Sequence, residues 1–311
     1  MLYNKLLPFE IIIVDNNSSD DSKESILQKY PAVRWIDMGY NAGFARSNNA
    51  GMNTAQGPVF LLLNPDTKSI DNSIEQCYYK LISSNYVASG LQLLNEDGSL
   101  QTSGSFFVKG GLNHLLPIPY WGAFIRWLGY RFKSKIPGVN AAKEIEEIDW
   151  INGAFLMVKK NAVDKAGLFD EDFFLYSEEI EWCSRLKKKG PLCIFGNLKM
   201  IHLQGESDNS DQQTNKKGYQ NLLDKKGLQL MVSHHVRIRK QYGTGWFLFL
   251  LINYTWGILV FFVGSTLHNL FKLRNPFNDW KNVRLFAANV FKIWSLTPVI
   301  IKNKPHFYKM F

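Results

Sequence analysis

Residues 10–15, EIIIVD, form a short continuous apolar run that ends in a carboxylate. Such a run predicts a buried parallel strand with functional groups at its C-terminal end. Ser18, Ser19, Asp20 and Asp21 offer N-caps for a helix reaching Tyr30, where Pro31 stops it. VRWIDM (33–38) predicts a second strand, and a helix follows from about Ala45 to Ala55 with Gly57 as its stop. PVFLLLN (58–64) predicts a third strand, again ending in polar residues. A helical pattern over 71–84 completes a strand–helix–strand–helix order, the spacing of βαβ units in a sheet covered on both faces.

Beyond residue 86 the pattern changes. LQLLNEDGSLQTSG predicts a hairpin around Asp97-Gly98. Residues 105–140, rich in Phe, Trp, Tyr, Gly and Pro without a clear period, read as a long insertion. GAFLMVKK (153–160) predicts a strand running into a short helix to Gly167. SEEIEWCSRLKKKG (177–190) predicts a helix with acids in its first turn and lysines in its last, as the macrodipole favours. PLCIF and KMIHL predict two further strands, 206–217 a polar loop, and the next segment a long basic helix to about Tyr242.

The tail differs in kind. Trp246 to Phe262 is almost wholly apolar and Val263–Leu270 extends it, with Arg237, Arg239 and Lys240 before it and Lys272 and Arg274 after. A bilayer crossing takes about 20 apolar residues, so a spanning helix and an interfacial or re-entrant one both stay open, with an internal core helix as the plain alternative. A last helix near 280–294 interleaves aromatic and basic residues, a pattern that suits a membrane surface. The expected division is a catalytic domain over 1–207, a loop and basic helix over 208–242, and a hydrophobic, membrane-associated helical tail over 243–311.

Composition narrows the picture modestly. Across 311 residues, 46% hydrophobic and 20% charged residues belong to a folded globular chain, not a disordered one. The net charge of +9 suits nucleic acid, an anionic membrane face or a phosphorylated substrate, and does not choose among them. Cys77, Cys183 and Cys193 have no metal-type spacing and read as small core residues in a reducing compartment. Met1 leads into a mixed segment ending at Pro8, so no signal peptide is read and the cytosolic side is expected. The lack of G-x-G-x-x-G after the first strand and of a P-loop argues against a dinucleotide oxidoreductase and a P-loop enzyme. Nor does a known nucleic-acid-binding motif occur, so nucleic acid is not an expected partner.

Chemistry concentrates at element ends, where α/β sheets bind ligands. Asp15 follows the first strand, Asp66 follows the third, Glu178, Glu179 and Glu181 open the 177–190 helix, and His202 ends the last strand. A carboxylate and an imidazole together can hold a divalent cation, which neutralises a diphosphate leaving group. A second carboxylate can take a proton from an attacking hydroxyl. Plainer readings stand beside these: Asp15 and Asp66 as turn formers, Glu178 and Glu179 as helix-dipole partners, His202 as a structural histidine.

The order of the motifs is more specific. FEIIIVDNNSSDDS, NAGFARSNNAGMNTAQG, LLLNPDT, WINGAFLMVKK, AGLFDEDFFLYSEEIEWCSRLKKKG and HLQGES occur in this sequence over about residues 9–207. In that order they resemble the family-2 glycosyltransferases, most of all the rhamnosyltransferase-like branch. The resemblance implies an α/β GT-A fold, a Rossmann-like, mostly parallel sheet, and an inverting transfer from a nucleotide sugar (dTDP-rhamnose or a UDP-hexose) in cell-surface glycan synthesis. It implies donor contacts from Asp15, Asn41 and Arg46. Asn64-Pro65-Asp66 stands at the family's D-x-D position, so Asp66 would meet Mg2+ or Mn2+ and Asn64 would contact ribose or sugar. Trp150, Asn152, Gly153 and Glu178 fall on the acceptor side, Glu179 takes the place of the general base, and His202 would complete the metal site. A helix N-terminus favours an ionised carboxylate, which suits a base at Glu179. The acceptor expected beside the basic and aromatic tail is a lipid-linked saccharide at the cytoplasmic face of the inner membrane.

One departure stands out. The family begins with another apolar strand and helix, whereas only MLYNKLLP precedes the strand at residue 10. The expectation is a sheet lacking its first strand, through a misassigned start, a truncated gene or a degraded, poorly active copy, with the intact downstream motifs favouring the first two. The alternative function is a non-catalytic nucleotide- or membrane-binding protein.

Overall fold

The computed structural model describes residues 8–106, 112–132, 138–203 and 222–311. The chain forms two compact units, each discontinuous in sequence. The first comprises Met1–Phe107, Gly138–Phe174 and Glu178–Gln212; the second comprises Val108–Pro137, Leu175–Ser177 and Gln213–Phe311.

The first unit opens with β1 (Ile12–Asp15), α1 (Ser22–Lys29), β2 (Arg34–Asp37) and α2 (Gly43–Thr54). β1 and β2 pair in parallel, from Ile12 opposite Arg34 to Asp15 opposite Asp37, and form a two-stranded sheet of their own. Then come β3 (Val59–Leu63), β4 (Thr67–Ser69), α3 (Ser73–Ile82), β5 (Ala88–Leu94) and β6 (Gly104–Ser105). The chain crosses to the second unit, where α4 (Trp121–Arg131) lies, and returns as β7 (Gly138–Val139), β8 (Glu146–Ile148), β9 (Trp150–Ile151) and β10 (Phe155–Lys159). α5 (Lys160–Ala166), α6 (Glu178–Leu186) and β11 (Leu192–His202) complete the unit.

The central sheet has the order β3-β10-β5-β11-β4, with β8 also pairing β11. β5 and β11 pair in parallel, while β10 is antiparallel to both β3 and β5. The long strands β3, β5 and β11 therefore run the same way. The expected parallel arrangement holds for their direction, but the ladders that β10 makes are antiparallel. Helices cover both faces, so strand residues are apolar on both sides. Along β10, Leu156 and Val158 join Phe169, Trp182 and Ile194, while Phe155 and Met157 join Leu81, Leu91 and Phe195. This is the two-residue alternation of a strand. Cys77, Cys183 and Cys193 are free and buried; burial pushes the thiols of Cys77 and Cys183 up to about 12, which leaves them unreactive.

Several elements differ from the sequence expectation. PLCIF and KMIHL form one strand, β11, with a register shift between Phe195 and Lys199. The irregularity carries Gly196, where an added Cβ would sit 2.1 Å from the Lys143 carbonyl oxygen, so the chain bends past a neighbouring backbone without ending. α2 ends at Thr54 with Ala55 extended, before Gly57 is reached. The 105–140 segment contains α4, which its irregular pattern hid, and the polar stretch 206–217 lies outside the described residues. The hairpin expected at Asp97-Gly98 is present, with Leu94 and Leu100 bridging antiparallel across a turn closed by Asn95 N–H to the Ser99 carbonyl at 2.8 Å and Gly98 at φ +78.

The second unit is built on α7 (Lys225–Tyr242), α8 (Thr244–Phe271) and α9 (Trp280–Lys302). The Asp224 carboxylate caps α7, accepting from Gly227 N–H at 2.7 Å. α8 and α9 are long and apolar enough to cross a membrane by length and composition. α9 runs past the expected end at 294 to Lys302, with Pro298 inside its last turns.

Candidate active site

The sheet register assembles one pair directly. Asp66 lies just before β4, and β4 runs antiparallel to the end of β11, with Thr67 opposite His202. His202 Nε2 therefore sits 3.4 Å from Asp66 Oδ1, and the Leu203 N–H bonds the Asp66 carbonyl at 2.9 Å. Asp66 is 8% exposed, and its Oδ1 meets no hydrogen-bond partner among the described residues. A buried carboxylate oxygen left in this state is costly unless something binds it. Burial lowers the pKa of His202, an effect that Asp66 opposes, so the imidazole is favoured in its neutral, ligating form. Its Nδ1 lies 3.1 Å from Gln101 Oε1, and Gln101 Nε2 donates to the His202 carbonyl and to Asn95 Oδ1. Asp66 and His202 fit a divalent cation as two protein ligands. Among the described residues no group of three His, Cys, Asp or Glu converges, so substrate oxygens and water would supply the rest.

Glu179 stands on the first turn of α6, half-buried. A Cβ on Gly153 would lie 3.8 Å from Glu179 Cγ and 3.2 Å from Phe44 Cζ, so the Trp150–Gly153 segment, α6 and α2 meet at that glycine. The same segment reaches the end of β3, where Asn64 N–H bonds the Ala154 carbonyl at 3.1 Å. Asn152 is held by its own contacts, accepting from Ala154 N–H at 2.9 Å and donating to the Thr102 carbonyl at 3.1 Å. Trp150 keeps a buried indole N–H with no acceptor among the described residues, a donor suited to a substrate hydroxyl. Tyr176 and Ser177, both at φ +70, lead directly into α6. Two successive non-glycine residues in the left-handed region are strained, and strain of this kind gathers at functional sites.

The three glutamates of α6 separate in role. Glu181 forms a bidentate pair with Arg185, whose guanidinium also donates to the Ala166 and Leu168 carbonyls. It ties α6 to the preceding loop and is committed there. Glu178 is buried, whereas Glu179 is half-buried.

At the end of β1, both carboxylate oxygens of Asp15 accept from Ser18 N–H, at 3.1 and 3.2 Å. Asp15 thus shapes its own turn as well as facing the strand end. Asn16 does the bridging that the sequence did not reveal. Its side chain accepts from Ala42 N–H at 2.7 Å and from the Ser47 hydroxyl, and donates to Asn41 Oδ1 at 3.0 Å. Arg46 donates from Nε to the Glu171 carbonyl at 3.2 Å. Gly43, at φ +76, has no room for a side chain: its Cβ would fall 2.1 Å from the Phe174 carbonyl oxygen.

Residues 2–125 match the sequence model of Glycosyl transferase family 2. The N-acetylglucosaminyl-diphospho-decaprenol L-rhamnosyltransferase of Mycobacterium tuberculosis is 25% identical over 222 residues, 66% of this chain and 69% of that protein. The rhamnosyltransferase WbbL of Escherichia coli is 27% identical over 191 residues, 58% of this chain and 67% of that protein. Over residues 2–125 the chain is similar to the family 2 glycosyltransferases. The match to the family spans β1 to β6, and the rhamnosyltransferase relatives align over a larger share of the chain. Among solved structures, the mannosyltransferase PcManGT from Pyrobaculum calidifontis, in complex with GDP-Man and Mn2+, is similar at 12% identity and a TM-score of 0.49, over 92% of this chain and 78% of that one.

Proposed function

We propose that this chain is a glycosyltransferase that moves a sugar, with inversion, from a nucleoside-diphosphate donor to a lipid-linked saccharide at the cytoplasmic face of a membrane. The carrying observation is the meeting of Asp66 Oδ1 and His202 Nε2 at 3.4 Å beside the β3 end, with Gly153 and Glu179 next along the same surface. Asn41 and Arg46 hold the nucleotide end, Asn64 the ribose or sugar, and Trp150, Asn152 and Gly153 the acceptor. The acceptor hydroxyl attacks the anomeric carbon as Glu179 takes its proton, and the bond from that carbon to the diphosphate oxygen breaks, its electron pair leaving with the phosphate. Asp66 and His202 would hold Mg2+ or Mn2+, whose chemistry is to neutralise charge on the diphosphate. dTDP-rhamnose is the first donor to try and UDP-hexoses the next. The rhamnosyltransferase relatives support the sugar, and the diphospho-decaprenol acceptor of one of them supports the acceptor class.

Glu179→Gln is the central test. With donor and acceptor present, its kcat falls by about a hundredfold or more, while metal-dependent binding of the nucleoside diphosphate is unchanged. Near-normal turnover would move the base to Glu178.

A further inference from the structure

α8 carries two different faces along its whole length. Trp246, Phe249, Ile252, Trp256, Leu259, Val263 and Leu267 are all exposed and recur at three- and four-residue steps without a charge among them. The opposite face is covered from end to end. Phe247 and Tyr254 pack against His235 of α7, with ring centroids 6.0 and 4.9 Å away. Gly257 meets Ile118, Phe261 and Gly264 meet Tyr120, and Asn269 Nδ2 donates to Asp279 Oδ2 at 3.0 Å.

A helix of 28 residues is about 42 Å long, more than the roughly 30 Å of a bilayer's hydrocarbon core. If α8 crossed, everything packed along it would cross too. Those elements include α7, with buried Gln229, Ser233 and Arg237, and the turn that holds Asp279. Hydrocarbon is a poor solvent for such groups. The same arrangement laid flat puts only the uncharged face into lipid.

We propose that α8 lies in the plane of the membrane surface as a monotopic anchor, its Trp246–Leu267 face sunk into the acyl region of an anionic bilayer. The proposal deepens, and rests on, the membrane association read above. Charge supports the choice of partner: Lys272, Arg274, Lys281 and Arg284 are exposed around the turn from α8 into α9, where they meet lipid headgroups. α4 repeats the pattern on a smaller scale, with exposed Phe124 and Trp127 stacked 6.0 Å apart beside exposed Arg126 and Arg131. Between α8 and α9, Ile252, Thr255, Trp256, Leu259 and Trp294 line an open apolar groove of about 320 Å3, room for part of a lipid chain.

Thiol labelling separates flat from spanning. The three native cysteines are buried, and Gly245 has open space where a side chain would go. Gly245→Cys, Leu259→Cys and Phe271→Cys are made singly, and a membrane-impermeant maleimide is applied to inverted and to right-side-out vesicles from expressing cells. Both end positions should label from one and the same face, with Leu259→Cys labelled only after detergent. Labelling of the two ends from opposite faces overturns the in-plane placement. Failure of the chain to float with phosphatidylcholine–phosphatidylglycerol vesicles would instead remove the membrane association beneath it.

Discussion

Asp66 and His202 are 136 positions apart by their numbers, yet one ladder step between β4 and β11 brings them to 3.4 Å. Asp66→Asn should keep the fold, read by far-ultraviolet circular dichroism, and lose the stabilisation that nucleoside diphosphate plus Mn2+ gives. For the unaltered chain that gain is about 2.7 kcal/mol at a ligand level one hundred times Kd. Gln101→Ala should weaken Mn2+ binding about tenfold or more by releasing the His202 ring, while the diphosphate without metal binds as before. Gly43→Ala should cost more than about 2 kcal/mol, read as a fall in the urea midpoint, because both its positive φ and the Phe174 carbonyl oppose a methyl. The order of motifs singles out Asp66, Glu179 and His202 as candidates. It does not single out Asn16 and Gln101, because an amide that bridges partners 26 and 101 positions away carries no local pattern. The motif order places Glu179 ahead of Glu181 without a physical reason, which the fold adds by closing Arg185 on Glu181.

At the scale of elements, strands bounded by polar ends are legible because burial on both faces writes a continuous apolar run, as in β3 and β10. β11 was read as two strands because its Gly196 and Asn197 look like a break, while the ladder shows an irregularity resumed at Lys199. α4 escaped notice because aromatic residues stand on its exposed side, blurring the 3.6-residue contrast on which helix reading depends. α7 carries a pH-sensitive consequence. Burial holds His235 and, near the Arg237 guanidinium, His114 at about 4, and His234 well below its usual value. Unfolding restores ordinary imidazoles, so the unfolded chain takes up more protons below pH 6.5. Stability from these residues is complete above that pH and is lost as pH falls toward 4, by up to about 3 kcal/mol for His235 alone. Thermal melts from pH 7 to pH 4 should show the decline, and His235→Phe should flatten it.

On the scale of the whole molecule, the net charge of +9 and the basic turn after α8 act together. Binding to anionic vesicles should weaken as salt rises from 50 to 500 mM, because the Debye length shortens to well under about 10 Å. The apolar face should still leave a salt-resistant remainder, measurable by flotation at the higher salt. The two units interleave along the chain, with 108–137 and 175–177 belonging to the second, an arrangement that no linker composition announced. α8, with one side packed and the other bare for its full length, also changes what concentration means to this enzyme. If α8 rests flat on lipid as proposed, the search for a lipid-linked acceptor is two-dimensional, and velocity would follow the mole fraction of acceptor among the lipids. Diluting the vesicles with inert phospholipid, at fixed amounts of enzyme and acceptor, should slow turnover, whereas diluting the whole suspension with buffer should hardly change turnover per bound enzyme.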